Sequence, residues 1–177
     1  MKIVLLYSSR FGQTLKIAQA LQSQWQQEAN EVCLHDIAQA HTLNLHDFDC
    51  IVVGASIRYG HYAKAVHRFI ADNAPLLNRK PSYFYSVSIL AAKPAKATLQ
   101  THPYTRKLFE QHIWQPTGVA IFAGELAYRK YHLIDTYLMK LVMSFNKSVS
   151  SDVKEMEFTD WQKVSAFGEK VLQQQAF

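Results

Sequence analysis

The sequence predicts an α/β fold built on a parallel sheet, and three observations predict it. Short apolar runs of strand length alternate with amphipathic helical patterns along most of the 177 residues. The runs at 2–7 and 48–55 are apolar on both faces, as strands covered by helices on each side must be. The first run passes through a small, hydroxyl-rich turn straight into a helix. No repeat, low-complexity segment or linker interrupts the alternation, so residues 1–177 are expected to form one domain.

The elements follow in order. The first strand is expected at 2–7, K-I-V-L-L-Y. A helix over 14–28 then places Ile17, Ala18, Leu21 and Trp25 on one face. A second strand falls at 31–37, a connecting segment at 38–47 and a third strand at 48–55. The next helix is expected at 61–73, with Tyr62, Ala65, Val66, Phe69 and Ile70 as its stripe. Pro81 opens a fourth strand, 82–87, and a long loop covers 88–102. Loops of that length in compact domains usually carry function. Pro103 suits the first position of a helix running to about residue 112. The fifth strand is 118–124. The last helix starts near Asp160, with Thr159 and Gln162 fitting a capping box. Trp161, Val164, Phe167, Gly168, Val171 and Leu172 form its expected inner face.

Composition narrows the function. Hydrophobic content is 49% and charged content 19%, which excludes a disordered chain. A net charge of +5 and a pI near 9.2 favour an anionic partner, whether acidic lipid, nucleic acid or a small acidic molecule. Cys33 and Cys50 lie in strand-like runs and read as buried, reduced thiols without metal-ligand spacing. The N-terminal apolar run is too short for a signal peptide, and no stretch reaches the ~20 residues of a spanning helix. A cytoplasmic protein is expected, free or bound at a membrane surface.

The turn S-S-R-F-G-Q-T at 8–14 is the first candidate site. A helix N-terminus offers unpaired N–H groups and a partial positive charge, which suit a phosphate. Ser9 and Thr14 add hydroxyls, and Gly12 allows close backbone approach. The spacing is neither a Walker A nor a dinucleotide fingerprint. It resembles the phosphate loop of flavodoxins; the alternative is an ordinary strand-to-helix turn. A flavodoxin-like three-layer sandwich has strand order 2-1-3-4-5 and binds ligands beyond the carboxyl ends of its strands, at the switch between strands one and three. The loops at 8–14, 56–62 and 86–96 would meet there. In S-I-R-Y-G-H-Y, 56–62, Tyr59 could stack on a flavin ring, while Arg58 and His61 could meet a carboxylate. The loop starting at 86 opens without an aromatic residue, leaving one flavin face open to a substrate. Lys93, Lys96, Arg129 and Lys130 are further candidates for an anionic substrate, or solvated surface charges. Metal-ligand sets, paired carboxylates and a nucleophile elbow are absent, and no catalytic residue is assigned. The chemistry is therefore expected from a cofactor.

One stretch exceeds a minimal flavodoxin. Residues 125–157 separate the fifth strand from the last helix. Within them, 133–145 reads L-I-D-T-Y-L-M-K-L-V-M-S-F, with Arg129, Lys130, Lys140 and Lys147 set against Asp135. At ~1.5 Å per residue such a helix is too short to span a bilayer. It could lie in a membrane interface or pack on the domain.

G-A-S-I-R-Y-G-H-Y at 54–62, F-Y-S-V at 84–87 and F-T-D-W at 158–161, flanking the phosphate loop and the basic insertion, resemble the quinone-dependent protoporphyrinogen IX dehydrogenases of bacterial haem synthesis. The resemblance covers essentially the whole chain. It implies a flavodoxin-like fold, bound FMN, and oxidation of protoporphyrinogen IX with menaquinone or ubiquinone as acceptor. It further implies a link to the respiratory chain through the quinone pool, without nucleic acid. A peripheral position on the cytoplasmic side of the cell membrane, held through residues 125–150, would follow. Carried over by residue, Ser9, Arg10, Phe11, Gly12, Gln13 and Thr14 would hold the phosphate. Ser56, Ile57, Tyr59, Ser86, Val87 and Ser88 would border the flavin. Phe11 stands where flavodoxins often have Thr. Two other readings compete: a flavodoxin-type electron carrier, against which the basic charge counts, and an FMN quinone reductase fed by NAD(P)H. A receiver module would need acids where Ser8 and Ser9 stand.

Overall fold

A computed structural model describes residues 1–127 and 155–174. Five parallel strands form its main sheet, β1 (Lys2–Ser8), β2 (Glu31–Asp36), β3 (Cys50–Ser56), β4 (Ser82–Val87) and β5 (Gly118–Phe122), in the order β2-β1-β3-β4-β5. The expected fold class and strand order are both present. The registers run Ile3 beside Val32 and Cys50, Val53 beside Phe84, and Tyr85 beside Ala120.

Alternation along the strands divides the core in two. Val4, Leu6, Ile51, Val53 and Phe84 face α2 (Lys64–Leu77) and α3 (Pro103–Gln111), whose Val66, Phe69, Ile70 and Leu108 pack on them. Ile3, Leu5, Val52, Tyr83 and Tyr85 face the other way. There they meet Ile17, Leu21 and Trp25 of α1 (Gln13–Gln27) and Val164, Phe167 and Val171 of α4 (Trp161–Gln173). Trp25 is fully buried and donates its Nε1 proton to the Gly168 carbonyl at 3.0 Å, tying α1 to α4. A short antiparallel ribbon, β6 (Glu125–Ala127) with β7 (Glu155–Glu157), follows β5. The helix expected at 133–145 and the cations Arg129, Lys130, Lys140 and Lys147 lie outside the described residues.

Three local expectations are corrected. The second helix begins at Lys64, not at 61, because Arg58 and His61 exchange both backbone hydrogen bonds at 2.9 Å across Tyr59 and Gly60. Those two residues have φ of 49° and 79°, a tight turn that a helix cannot absorb. At the last helix the cap is Asp160, whose carboxylate accepts from the N–H groups of Gln162 and Lys163. Thr159 is occupied elsewhere, donating to the Ala123 carbonyl at 2.8 Å. Trp161, expected on the inner face, is exposed at the helix start. The loop at 88–102 is not structureless, since it holds 3₁₀ turns at Ile89–Ala92 and Pro94–Lys96.

That loop ends at His102, which is fully buried and caps α3 by accepting at Nδ1 from the Thr105 N–H. Burial first, and the nearby Lys96 charge second, push its imidazole down from the ordinary value to about 4. Because the folded pKa is depressed, the unfolded chain takes up the proton more readily. Stability is therefore full above the ordinary histidine pKa and falls as pH drops from about 6.5 towards 4. His67 and His112, 3.0 Å apart and also lowered mainly by burial, act in the same direction. Denaturant unfolding should show a loss of about 2 kcal/mol from His102 alone between about pH 7 and pH 5. His102→Asn keeps a capping acceptor and should flatten that limb. An equal acid loss in wild type and variant would refute the assignment.

Candidate functional site

The loops following β1, β3 and β4 all leave the carboxyl edge of the sheet. Since β1 lies between β2 and β3, the connections after β1 and β3 diverge to opposite faces and open a crevice. A cavity of about 390 Å³ occupies it, within the size range of cofactor and small-molecule sites.

Its floor is the loop at 8–14. Gly12 is the N-cap of α1 and has φ of 104°, a left-handed conformation that side chains resist. Its N–H donates to Ser9 Oγ at 3.2 Å, which folds the loop back on itself. The cap carries no side-chain hydrogen bond, so the first N–H groups of α1 remain open to a ligand. Thr14 is 1% exposed, and its Oγ1 has no hydrogen-bond partner. Gln13 Oε1 is likewise buried without a partner. Thr14 thus offers a donor to an anion, while Gln13 offers an acceptor to a hydroxyl. Beneath the loop, the buried Tyr85 hydroxyl donates to the Thr14 carbonyl at 3.2 Å, and Ser56 Oγ donates to the Ser8 carbonyl at 3.2 Å.

The wall is the tight turn at 58–61. Arg58 lies between two rings, with its guanidinium carbon 5.4 Å from the Phe11 centroid and 4.7 Å from that of Tyr59. Both stacks are attractive. Its Nη2 donates to the Tyr59 hydroxyl at 3.2 Å, while its Nε is buried with no acceptor. Tyr59 is 63% exposed at the mouth, held there by a positive φ of the kind that collects at functional sites.

Of the residues expected at the cofactor, Ser9, Arg10, Phe11, Gln13, Thr14, Ser56, Ile57, Tyr59, Val87 and Ser88 line the cavity, as does Arg58. Gly12 is not in the lining and shapes the loop through its N–H to Ser9 Oγ. Ser86 sits behind the lining, fully buried, with its oxygen accepting from the Tyr62 hydroxyl at 2.8 Å. The same Tyr62 oxygen lies 2.7 Å from Thr105 Oγ1, and burial pushes its phenol up to about 12. His61 and Lys93 do not line the cavity: His61 serves the turn through its backbone. Arg129 and Lys130 lie outside the described residues.

The structure adds Gly60, Ile89, Leu90, Tyr104, Gly124 and Glu125 to the lining. Tyr104, from the first turn of α3, adds an aromatic ring to the lining beside Gly60. A Cβ on Gly60 would stand 2.8 Å from Tyr104 Cε1, so glycine there lets helix and turn close together. Tyr104 sits off the Thr105–Leu108 stripe of its helix, a signal visible in the sequence without its meaning.

An anion-accepting helix start beneath an apolar, aromatic-rimmed slot at this switch point defines a flavodoxin-type domain. Residues 4–152 match the sequence profile of a flavodoxin domain family. Among solved structures, oxidised Flavodoxin 2 from Bacillus cereus aligns with a TM-score of 0.52 at 18% identity, over 82% of this chain and 94% of that one. A flavo di-iron protein variant from Thermotoga maritima aligns at 0.58 and 10% identity; it covers 98% of this chain, which spans only 36% of that longer one. These two likenesses concern the fold. Among curated relatives, the protoporphyrinogen IX dehydrogenase [quinone] of Escherichia coli (strain K12) is 38% identical over 97% of this chain and 94% of its own length. The Leishmania major protein of the same name is 35% identical over 94% of this chain and 72% of its own. The chain belongs to the family of quinone-dependent protoporphyrinogen IX dehydrogenases, within the flavodoxin fold.

Proposed function

We propose that this chain binds FMN in the cavity at the β1/β3 switch and oxidises protoporphyrinogen IX to protoporphyrin IX, with a membrane quinone as electron acceptor. The observation that carries the cofactor reading is the open N-terminus of α1 beside the buried, unpartnered Thr14 hydroxyl. A single phosphate suits that floor, and ribityl hydroxyls suit the acceptor at Gln13. The substrate and the acceptor follow from relatives of that name aligned over nearly the whole chain.

FMN when bound supplies a two-electron acceptor that the side chains of this chain lack. The chain's own residues bind and orient. The loop at 9–14 would take the phosphate, Ser56, Ile57, Val87 and Ser88 would border the ring, and Tyr59 would stack on it. Arg58, together with Lys93 nearer the surface, would offer positive charge to the propionates of the substrate, and His61 would offer a hydrogen bond. Arg129 and Lys130 extend this role from the segment at 125–150, which we assign to the membrane surface of the cytoplasmic side. Through the quinone the protein feeds the respiratory chain. Residues 1–177 then act as one flavin-binding domain carrying 125–157 as an insertion. No helix among the described residues is long and apolar enough to cross a membrane.

The choice of electron donor tests this reading. The FMN-loaded protein should turn over with protoporphyrinogen IX and a quinone, and should not reduce that quinone with NADH or NADPH. Rapid reduction by a nicotinamide nucleotide would instead make it a general quinone reductase. Arg58→Ala should raise KM for the porphyrinogen about tenfold, the loss of a charge-assisted contact, with a smaller effect on FMN affinity. An unchanged KM would remove Arg58 from substrate binding.

A further inference from the structure

The cofactor loop is held from a place far along the chain. Gln13, the first residue of α1 and part of the cavity floor, spends both Nε2 protons outside the cavity. One goes to Glu157 Oε1 at 2.8 Å and the other to Thr159 Oγ1 at 2.8 Å. Glu157 uses its second oxygen on Lys16 Nζ at 3.1 Å, one turn further along α1. Thr159 is itself fixed by donating to the Ala123 carbonyl at the end of β5, and Phe158 N–H donates to the Gly124 carbonyl at 3.1 Å. Lys16 also lies over the Trp161 ring at 5.8 Å. Glu157 ends β7, and its ladder partner in β6 is Glu125, which lines the cavity. One ribbon therefore touches the site twice, at its wall through Glu125 and at its floor through Gln13.

Two features set this apart from a surface ion pair. The amide of Gln13 is 6% exposed, and its orientation follows from its partners: a carboxylate can only accept, so Nε2 must face Glu157 and Oε1 must face away. That leaves Oε1 without a donor at a residue lining the cavity. The carboxylate is also built to stay charged: burial pushes its pKa up, but hydrogen bonds from Gln13 and Lys16 and the Lys16 charge outweigh this and hold it below the ordinary value. Its negative charge, which near a phosphate site would oppose the ligand, is compensated by the Lys16 ammonium at 3.1 Å.

We infer that Glu157 is a positioning residue for the phosphate-binding loop. Acting through Gln13 and Lys16, it fixes the first turn of α1 in its anion-accepting form and couples occupancy of the cavity to the β6–β7 ribbon. The inference rests on the FMN reading above. By linkage the coupling is reciprocal: what steadies the ribbon tightens the ligand, and the ligand steadies the ribbon to the same extent.

The test uses the full-length chain, freed of flavin, titrated with FMN and with riboflavin, its phosphate-free counterpart, by fluorescence quenching. Glu157→Ala should weaken FMN about tenfold and riboflavin little, because the loss falls on the phosphate loop. Glu157→Gln keeps an oxygen acceptor for Gln13 and should recover most of that affinity. Amide exchange should slow at 125–127 and 155–157 when FMN binds to the wild type, and should not slow in Glu157→Ala. Equal losses for both flavins, unchanged FMN affinity, or persistent ribbon protection in Glu157→Ala would each overturn the inference and leave the cofactor reading intact. A wild-type chain that fails to bind FMN would overturn both.

Discussion

Thr14→Val weakens FMN binding by about ten- to a hundredfold and leaves the unliganded protein at least as stable as the wild type. The opposite directions come from one atom. Thr14 Oγ1 is buried on the cavity floor and has no hydrogen-bond partner. In the unliganded state that hydroxyl costs about 1–3 kcal/mol of unreturned desolvation. A phosphate oxygen repays it with a charge-assisted hydrogen bond of about 1.5–3 kcal/mol, which sets the expected loss of affinity. Valine keeps the branched shape, so the packing of α1 survives, and the Thr14 carbonyl still accepts from Tyr85. Flavin titration and thermal melts of the two proteins without ligand measure both halves. Undiminished FMN affinity in the variant would show that the hydroxyl meets no phosphate.

Gly54→Ala has the largest expected effect on the fold. A Cβ on Gly54 would lie 1.9 Å from Tyr85 Cζ, inside the ring's own volume. Tyr85 is fully buried in β4, pairs with Gly54 across the sheet, and packs against Phe122 and Phe167. It cannot yield without emptying that side of the core. Overpacking of this kind costs about 3 kcal/mol, which for a chain of this size lowers Tm by roughly 10 °C. The damage reaches the site as well, because the displaced hydroxyl is the one bonded under the phosphate loop. Tyr85→Phe, which removes only that bond, should cost far less. A Gly54→Ala protein melting with the wild type would contradict the packing described here.

The sheet was legible because its strands are short and punctuated by turn residues; β1 and β3 each read as buried runs, and Pro81 marked the start of β4. The phosphate loop was legible because its chemistry is contiguous, from Ser9 to Thr14. What the sequence hid was non-local or set by backbone sign. The stripe of α2 pointed to a start near His61, and only the positive φ of Tyr59 and Gly60 reveals that the chain turns there first. Thr159 looked like a cap because its spacing to Gln162 is right, yet Asp160 fits the cap and frees Thr159 for Gln13. Leu90 belongs to the loop at 86–96 expected at this edge, whereas Tyr104 reaches the cavity from a helix whose pattern does not announce it. The contact between Gln13 and Glu157 joins positions 144 apart, with no local signature at either end.

The central claim is that protoporphyrinogen IX delivers its electrons to a flavin held in this cavity, and from there to a quinone. A single anaerobic mixing experiment tests it most directly. The FMN-loaded protein is combined with protoporphyrinogen IX in the absence of quinone, and oxidised-flavin absorbance and porphyrin fluorescence are followed together. Flavin absorbance should fall as porphyrin appears, in amounts limited by the enzyme, and added quinone should restore the one and release continued growth of the other. Flavin that stays oxidised while intact and bound, with no porphyrin formed, would contradict the account.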